Sequence, residues 1–509
     1  METFYVTTPI YYVNDVPHIG HAYTTLAADV LARWHKLKGD DVYFLTGTDE
    51  HGQKMDQAAA EKGVTPIELA DKNSQSFKDL WSRMGIAYDD FIRTTEPRHQ
   101  AAVAEIYNRI KKSGDVYKGE YEGLYCVRCE TYYTELQLEN GNCPVHQMPV
   151  DKVKESSYFF RTSKYQDRLV KYIEDHPEFI MPESRRNEIL SFVKSGLEDL
   201  SISRTNFQWG IPVPDDPAHV LYVWVDALTN YISALGFGHE NDEKFKRFWP
   251  ADFHLIGKDI LRHHAVIWPC LLMSAGVPLP KTVFAHGWWT NEGRKMGKSL
   301  NNFIDPYEVI NKFGLEPFRY FLLREVPFGL DGDFSYDALK HRINSDLAND
   351  LGNLLSRTAG MAGKYTAGKL TAPAARDSVD QELIKTVERT VKEAELAMAE
   401  CAFHKALTVI WAMISAANKY IDVTRPFTLA KDPAQKDRLD AVLYNVAELL
   451  RIAAILISPF MPDAAGRMWE QIGAPGAPSD PPLSGKIKWG GLPSGTVMTK
   501  GAALFPRIE

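Results

Sequence analysis

The sequence lacks the features that mark secreted, membrane-spanning and strongly basic proteins. Five cysteines in 509 residues are too few for a disulfide-stabilised secreted scaffold. No uncharged apolar run reaches the roughly 18 residues of a transmembrane helix, and the N-terminus has no basic segment of the signal-peptide kind. The formal net charge of -8 means that any nucleic-acid contact must be local. We therefore expect a soluble protein of the reducing cytoplasm that contacts no membrane.

The residue pattern changes along the chain, which is too long for one ordinary core. Near the N-terminus, FYVTTPIYYV is β-rich, a helix is predicted from Pro17 to about Gly39, and VYFLTGTDEHG follows as a second buried strand. This strand, helix, strand order predicts an α/β fold with a doubly wound parallel sheet of the Rossmann type. Ligands of such sheets bind beyond the carboxyl ends of the strands, where PHIGH and TGTDEHG would lie.

Two later changes predict further parts of the molecule. Short polar turns and cysteines suggest an insertion that splits the sheet, and after about residue 335 leucines recur every four residues, which predicts a bundle of helices. The predicted parts are 1–115 (first half of the α/β domain), 116–220 (insertion), 221–350 (second half of the α/β domain) and 351–509 (helical bundle with a C-terminal tail).

The insertion carries a metal-like spacing. Cys126 and Cys129 are followed by Cys143 and His146, two close pairs of sulfur and nitrogen ligands that suit tetrahedral zinc. A closed set of four protein ligands favours a structural role for the ion. The alternative is two unrelated pairs in a reduced insertion.

The stretch VPHIGHAY places two histidines three residues apart around a glycine. If the helix begins at Pro17, His18 and His21 stand in its first turn, where free backbone N–H groups attract phosphate. Gly20 would let a flat ring or a sugar approach the backbone closely. The alternative is two surface histidines and an accidental glycine.

A second stretch, RKMGKS at 294–299, places two lysines three residues apart beside glycine and serine. Lys295 and Lys298 suit a mobile loop that brings ammonium groups to a polyphosphate. Taken by itself, the stretch is more typical of a solvated basic turn.

Together the two stretches resemble the HIGH and KMSKS signatures of class I aminoacyl-tRNA synthetases. The matches are His18-Ile-Gly-His21 and Lys295-Met-Gly-Lys298-Ser299, with Gly297 where the family usually has serine. PIYYVND, TGTDEHG, the CxxC insertion, YVWVDALTNY, FHLIGKDILRHH and NLLSR also resemble the methionyl-tRNA synthetases, in order and over essentially the whole chain. The resemblance implies ATP-dependent activation of methionine to methionyl-adenylate, followed by transfer to initiator and elongator methionine tRNA.

The resemblance also implies roles for individual residues. The residues matching the methionine site are Ile10, Tyr12, Asp49, Trp224, Ala227, Leu228, Tyr231, Ile260 and His264, with Asp49 facing the amino group. Those matching the ATP site are His18, Gly20, His21, Gly257, Asp259 and Lys298, with Mg²⁺ on the phosphates. Catalysis is expected from His18, His21, Lys298 and Lys295, by positioning and charge stabilisation.

In the helical part, Asn353 and Arg357 stand four residues apart, on one helix face, and match the family's anticodon readers. Phe427, after Pro426, takes the place of the family's stacking tryptophan and can stack a base without donating an indole hydrogen bond. The chain ends at ALFPRIE, without the tRNA-binding domain that bacterial dimers of the family often carry, so a monomer is expected.

Two alternatives stay open at this point. A leucyl-, isoleucyl- or valyl-type synthetase shares both signatures but resembles a much longer chain with its own large editing insertion. A catalytically inactive tRNA-binding protein would not be expected to keep both signatures intact, and a basic RNA binder would carry positive net charge.

Overall fold

The computed structural model describes residues 2–508 apart from 14–15, 127–130, 134, 146, 292 and 297–302. Residue contacts divide the chain into two compact units. The sheet unit comprises Thr3–Ala28 and Val42–His286, and the helical unit comprises Met1–Glu2, Asp29–Asp41 and Gly287–Glu509. The contacts thus group residues 287–350 with the helical part, whereas the sequence assigned them to the α/β domain; the boundary at 350 stays a prediction.

The sheet unit alternates strands and helices. Its strands are β1 (Thr3–Tyr12), β2 (Asp41–Asp49), β3 (Asp90–Arg93), β4 (Val116–Cys126), β5 (Thr131–Tyr133), β6 (Asp151–Phe160), β7 (Ile180–Met181), β8 (Leu200–Ser201), β9 (Ser203–Arg204), β10 (Pro212–Val213), β11 (Asp216–Leu221), β12 (Phe253–Gly257) and β13 (Thr282–His286). Its helices are α1 (Ile19–Lys38, shared with the helical unit), α2 (Gln53–Lys62), α3 (Pro66–Arg83), α4 (Pro97–Lys112), α5 (Gln166–Asp175), α6 (Glu183–Lys194), α7 (Val223–Leu228), α8 (Asn230–Ser233), α9 (Glu243–Phe248) and α10 (Trp268–Ala275).

The main sheet has six strands in the order β3-β2-β1-β12-β13-β7. The pairings β2–β3, β1–β12, β12–β13 and β13–β7 are parallel. Every residue of β1 from Phe4 to Pro9 is buried, as expected for a central strand covered on both faces. Strands from before and after the insertion therefore form one sheet, which confirms the predicted fold class. The order reverses between β1 and β12, and that switch point opens the crevice in which ligands of such sheets bind.

Helix α1 begins later than predicted. The first helical hydrogen bond runs from the Ala22 N–H to the His18 carbonyl at 3.0 Å, which makes His18 the residue that caps the helix. Pro17 lies before the cap, so the prediction of a helix from Pro17 was wrong by two residues. His21 stays in the first turn.

The predicted insertion consists mainly of two small antiparallel sheets, in the orders β5-β4-β6-β8 and β10-β11-β9. Its longest pairing joins β4 and β6, from Val116 opposite Phe160 to Tyr125 opposite Asp151. One detail differs from the sequence-based assignment: β7, inside 116–220, adds an edge strand to the main sheet. A strand of two residues is too short to show a residue pattern.

The helical unit contains short strands and many helices. The strands are β14 (Trp289–Asn291), β15 (Arg294–Lys295) and β16 (Gly332–Phe334). The helices are α11 (Pro306–Phe313), α12 (Leu315–Arg324), α13 (Tyr336–Arg342), a π-helix (Ile343–Gly352), α14 (Asn353–Thr366), α15 (Ser378–Ala399), α16 (Phe403–Thr424), α17 (Pro426–Leu429), α18 (Lys436–Ile457), α19 (Pro462–Ile472) and α20 (Leu483–Lys486). Among the described residues, none of the helices has the length and apolar run needed to span a bilayer.

The π-helix explains the leucine repeat. Leu339, Ile343, Leu347, Leu351 and Leu355 are all at most 2% exposed. In an α-helix a four-residue repeat drifts by about 40° per step. A π-helix has more than four residues per turn, so the repeat drifts in the opposite direction there. This offsets the drift in the flanking α-helices and keeps the repeat on the buried side.

The C-terminal tail, which follows α19, is held by a buried carboxylate of α18. Glu448 is 0% exposed and accepts hydrogen bonds from the backbone N–H groups of Gly490, Gly491 and Leu492 at 2.7 to 3.1 Å. Arg451 donates two 2.7 Å bonds to the same carboxylate and further bonds to carbonyls of the tail. The tail thus depends on one ion pair inside α18.

We expect Glu448→Gln to lower the free energy of unfolding by about 3–5 kcal/mol, because it leaves a buried guanidinium without its counter-charge. Urea denaturation followed by tryptophan fluorescence measures the change. The matched control is Asp175→Asn, which breaks the exposed Lys171–Asp175 pair by the same carboxylate-to-amide exchange and should cost less than about 1 kcal/mol. Equal effects of the two substitutions would contradict the role of Glu448.

Candidate active site

The carboxyl ends of the central strands gather the predicted site residues of the sheet unit. Strand β1 ends at Tyr12, β2 at Asp49, β12 at Gly257 and β13 at His286. Three of these four were predicted from the sequence, and His286 was not. In a parallel sheet all four ends open on one edge.

Backbone N–H groups define the tautomers of the two signature histidines. The Gly20 N–H donates to His18 Nδ1 at 3.1 Å, and the His18 N–H donates to His21 Nδ1 at 3.2 Å. A ring nitrogen that accepts a hydrogen bond carries no proton, so both rings are neutral with the proton on Nε2. Each ring can therefore offer a ligand an Nε2–H donor.

The two rings stack on each other, with centroids 3.7 Å apart and planes inclined by 22°. His21 also packs against Tyr11 and Phe77. Burial, with the neighbouring His18, holds the pKa of His21 well below its usual range. A Cβ at Gly20 would lie 2.9 Å from Cε1 of His18, so the stacked arrangement requires glycine there.

His286 supports this first turn of α1 from the neighbouring strand. Its Nε2 lies 2.6 Å from the Thr24 hydroxyl, and Thr24 in turn donates to the Gly20 carbonyl at 3.2 Å. The sequence run FAHGWWT contains this histidine, but no spacing distinguishes it from a core residue.

The predicted thioether pocket surrounds a buried tyrosine and histidine. The His264 Nδ1 lies 3.0 Å from the Ile260 carbonyl, which can only accept, and the Tyr231 hydroxyl lies 2.6 Å from His264 Nε2. Nδ1 therefore carries the proton and Tyr231 donates to Nε2. Burial lowers the pKa of His264 to about 4, so the ring is neutral at pH 7.

The other predicted pocket residues pack around this pair. Trp224 lies nearly perpendicular to the His264 ring, with centroids 6.2 Å apart. The remaining members are Leu228, in the same hydrophobic core as Tyr231, and the partly buried Ile10, Tyr12 and Ile260 against that core. Ala227 is 5% exposed. The structure thus places Leu228, Ile10, Tyr12 and Ile260 in or against the core that contains Tyr231.

Trp224 also stacks on His263, with ring centroids 3.7 Å apart and planes inclined by 13°. The Nδ1 of His263 is buried and makes no hydrogen bond within the described part of the chain. Burial, with the neighbouring His264 and Arg262, lowers the pKa of His263 to about 3. His263 was not predicted as a site residue. Two adjacent histidines in a helix are common both in cores and on surfaces, so the sequence gives no signal for this one.

Asp49 begins a loop that is held from several sides. It is 7% exposed, and the next residue, Glu50, is fully buried and bound by Arg93 at 2.7 and 3.0 Å. The Trp209 indole N–H donates to the Glu50 carbonyl at 2.6 Å, and the Tyr12 hydroxyl donates to the His51 carbonyl at 2.9 Å. Asp49 is therefore presented by a rigid loop.

A buried carboxylate that was not predicted from the sequence joins this loop to α7. Asp226 lies 2.7 Å from a ring nitrogen of His51 and 2.7 Å from one of His99. Burial acts to raise the pKa of Asp226, but the two imidazoles lower it below its usual value. His51 and Asp226 fall inside TGTDEHG and YVWVDALTNY, whereas His99 has no distinguishing signal.

The two residues predicted for the ATP ribose lie against each other. A Cβ at Gly257 would stand 2.5 Å from the Asp259 carboxylate, so the carboxylate can fold over the strand end only because position 257 is glycine. Asp259 is exposed.

Some of the predicted site residues lie outside the described part of the chain. Lys298 lies outside the described residues, and Lys295 pairs through its backbone with Thr290 in the β14–β15 hairpin. Of the four predicted zinc ligands, Cys129 and His146 also lie outside. No group of three or more metal-ligating side chains occurs in the part of the chain that is described.

The described half of the zinc set consists of two buried cysteines, Cys126 and Cys143. They are 3% and 0% exposed. Cys126 ends β4, and the Cys143 backbone is held in a turn by Met148 and Gln147 at 2.8 Å. Buried thiols on a strand end and a tight turn fit structural zinc chemistry.

The predicted anticodon readers lie in the helical unit. Asn353 is exposed at the start of α14. Arg357 makes a 3.4 Å ion pair with Asp422 near the end of α16, and Phe427, in the next helix, is 47% exposed. The structure thus brings Arg357 to the end of the helix that precedes Phe427.

Comparisons with known proteins agree with this arrangement. A family profile described as tRNA synthetases class I (M) matches residues 4–152 and 137–359. A second profile, described as the anticodon binding domain of methionyl tRNA ligase, matches residues 372–509.

Similar proteins cover the whole chain. The methionine–tRNA ligase of Caldanaerobacter subterraneus subsp. tengcongensis is 55% identical over 508 residues, which span 100% of this chain and 79% of that protein. That of Bacillus subtilis is 49% identical over 523 residues, spanning 100% and 78%. The solved structure of Mycobacterium tuberculosis methionyl-tRNA synthetase in complex with methionyl-adenylate matches with a TM-score of 0.95 at 45% identity, covering 100% of both chains.

The buried imidazoles predict how stability depends on pH. Burial lowers the pKa of His254 well below its usual range, with His264 contributing, and His263 and His264 behave alike. Unfolded histidines take up protons below about pH 6.5 while these three stay neutral. The free energy of unfolding should therefore fall between pH 7.5 and 5.5, by about 1 kcal/mol per imidazole.

Urea unfolding at the two pH values and constant ionic strength measures this fall. The matched variant is His263→Phe, which keeps an aromatic ring stacked on Trp224 and removes one titrating group. It should reduce the fall by about 1 kcal/mol. An unchanged fall in the variant would contradict the assignment of a neutral His263.

Proposed function

The chain belongs to the methionyl-tRNA synthetases of class I, enzymes that activate L-methionine with ATP and transfer it to methionine tRNA, and we propose the roles of its individual residues in this reaction. The observation that carries the proposal is the pair of neutral, stacked histidines at the start of α1, each with its proton on Nε2. A leucyl-, isoleucyl- or valyl-type enzyme and an inactive tRNA-binding protein are not favoured, since both profiles and the relatives are methionyl.

His18 and His21 bind the phosphates of ATP through their Nε2–H groups. The carboxylate of methionine attacks the α-phosphorus, the bond to the β-phosphate oxygen breaks, and pyrophosphate leaves. Negative charge develops on the phosphate oxygens in this step, where neutral donors fixed at a helix N-terminus stabilise it without reorganising. Lys298 and Lys295 place their ammonium groups next to the same phosphates. Mg²⁺ bound to ATP would supply further charge neutralisation.

The pocket residues bind methionine. Asp49 pairs with the α-ammonium group, and its buried position on a held loop strengthens that pair. Tyr231 and His264 with Trp224 surround the thioether, whose sulfur contacts ring edges favourably. Ile10, Tyr12, Ala227, Leu228 and Ile260 complete the apolar wall.

Gly257 and Asp259 hold the ribose of ATP. The exposed Asp259 carboxylate accepts hydrogen bonds from ribose hydroxyls, and the glycine lets the sugar approach the end of β12. After activation, a hydroxyl of the terminal tRNA ribose attacks the methionyl carbonyl and AMP leaves.

Asn353, Arg357 and Phe427 read the anticodon. Asn353 offers an amide edge and Phe427 a stacking face. The ion pair of Arg357 with Asp422 is exposed and long, so exchanging it for a base costs little.

Cys126, Cys129, Cys143 and His146 hold a structural zinc ion. A monomer and a cytoplasmic location, both expected from the sequence, stay predictions.

We expect Lys298→Ala to slow methionyl-adenylate formation at least about 100-fold, with a smaller effect on methionine affinity, because the lysine stabilises charge that develops in the transition state. Single-turnover kinetics of adenylate formation measures both quantities. Pyrophosphate exchange into ATP with methionine, leucine, isoleucine, valine and cysteine tests the substrate, and methionine alone should support it.

The control is Lys171→Ala, which removes an exposed lysine from α5 and should leave both quantities unchanged. Near-normal chemistry in Lys298→Ala would refute the role of the lysine. Exchange with another amino acid would refute the pocket assignment.

We expect the purified chain to contain about one zinc ion and Cys143→Ala to lose most of it, because a tetrahedral site does not survive the loss of a thiolate. Mass spectrometry of the metal content measures the stoichiometry. Cys270→Ala removes a buried thiol outside the set and should retain zinc. A zinc-free parent, or full zinc in Cys143→Ala, would refute the site.

A further inference from the structure

A hydrogen-bonded chain of three buried side chains crosses the sheet unit beside the methionine pocket. The Asp226 carboxylate lies 2.7 Å from His51 Nδ1 through one oxygen and 2.7 Å from His99 Nε2 through the other. Asp226 is 1% exposed, His51 4% and His99 0%. Because an ionised carboxylate can only accept, both rings donate to it, and neither donation can be replaced by water.

One end of this chain is the loop that follows β2. His51 stands two residues after Asp49, and its carbonyl accepts from the Tyr12 hydroxyl. Its ring packs edge-on against Trp209, with centroids 5.4 Å apart. A displacement of the His51 ring would therefore move the segment that presents Asp49.

The centre of the chain is α7. Asp226 lies between Trp224 and Leu228 on this helix of six residues, and these two residues form the wall proposed for the thioether. The far end is anchored in α4 and α8, because the other ring nitrogen of His99 lies 2.8 Å from the Ser233 hydroxyl. Helix α7 is too short to hold its position by its own hydrogen bonds.

We propose that the His51–Asp226–His99 chain sets the distance between Asp49 and α7, and thereby the length of the amino-acid side chain that the enzyme accepts. The amino group of the substrate is bound at one end of this distance and the end of the side chain at the other. The three residues are positioning residues, which act through Asp49 and Trp224. The inference rests on the proposed roles of those two residues in binding methionine.

A crossed set of amide substitutions tests the proposal. An Asn side-chain nitrogen is the same number of bonds from Cα as His Nδ1, and a Gln nitrogen matches His Nε2. His51 donates through Nδ1 and His99 through Nε2. His51→Asn and His99→Gln therefore keep the donor to Asp226, whereas His51→Gln and His99→Asn misplace it.

The measurement is kcat/KM in pyrophosphate exchange for methionine and for ethionine, which has one more methylene. A well-shaped pocket discriminates a methylene by about 10-fold or more. We expect the methionine-to-ethionine ratio to fall at least about 5-fold in His51→Gln and His99→Asn, mainly through the methionine KM, with the KM for ATP within about 2-fold of the parent. His51→Asn and His99→Gln should keep the ratio within about 2-fold.

Other results would overturn the proposal. A ratio unchanged in all four variants would show that the chain does not control length, and the same loss in all four would show a dependence on the rings rather than on the donors. If a misplaced-donor variant does not fold, Asp226→Asn takes its place: the amide keeps one acceptor oxygen and loses the other, and an unchanged ratio would again overturn the proposal. Thermal unfolding of each variant shows which ones are folded.

Two further variants separate this inference from the proposed function. His35→Gln misplaces the donor of another histidine Nδ1–carboxylate pair of 2.7 Å, that with Asp40, and should leave the ratio unchanged. Asp49→Asn should raise the methionine KM at least about 10-fold. If it does not, the proposed amino-group site is wrong; if it does and the crossed variants follow no donor pattern, only the length-setting role is wrong.

Discussion

The parallel pairing of β1 with β12 is the contact on which the catalytic part of the molecule depends. It joins segments about 250 residues apart, with Val6 opposite Phe253 and Thr7 opposite His254. The Thr7 hydroxyl lies 2.8 Å from His254 Nδ1, so the register is reinforced by a buried polar pair as well as by the backbone. Tyr12 and Gly257 end the two strands, and the insertion can be long because it leaves from and returns to this one sheet.

Burial of imidazoles at the strand ends has an electrostatic consequence. A histidine at an anion site would ordinarily be expected to act as a cation, yet here His21 is kept neutral by desolvation. A neutral ring whose Nδ1 accepts a backbone N–H has one donor with a defined direction. In the proposed site, positive charge is then left to the lysines of the second signature and the helix N-terminus, and the histidines contribute geometry.

The features of the molecule that leave a regular residue pattern could be predicted from the sequence. The fold class follows from alternating strand and helix runs, and the pocket residues follow only through the resemblance, since Trp224 and Tyr231 are otherwise ordinary core aromatics. Polar contacts between residues far apart in the chain could not be predicted from the sequence. His99 reaches Asp226 across 127 residues of chain, and no spacing predicts this. The start of α1 was missed because proline is favoured at the first helical position, whereas Pro17 lies one residue before the cap His18. The two-residue strand β7 has no periodicity at all.

Buried carboxylates serve two different purposes in the two units. In the helical unit Glu448 binds a guanidinium and three backbone N–H groups, and so fixes the backbone of the C-terminal tail. In the sheet unit Glu50 binds Arg93, and Asp226 binds His51 and His99 near residues proposed for the methionine pocket. Replacing such groups by apolar residues often leaves stability unchanged, which makes stability a weak reason for keeping them. A carboxylate accepts hydrogen bonds in defined directions, whereas apolar packing tolerates small shifts. Where a pocket must distinguish side chains that differ by one methylene, that directional constraint is what apolar packing alone does not supply.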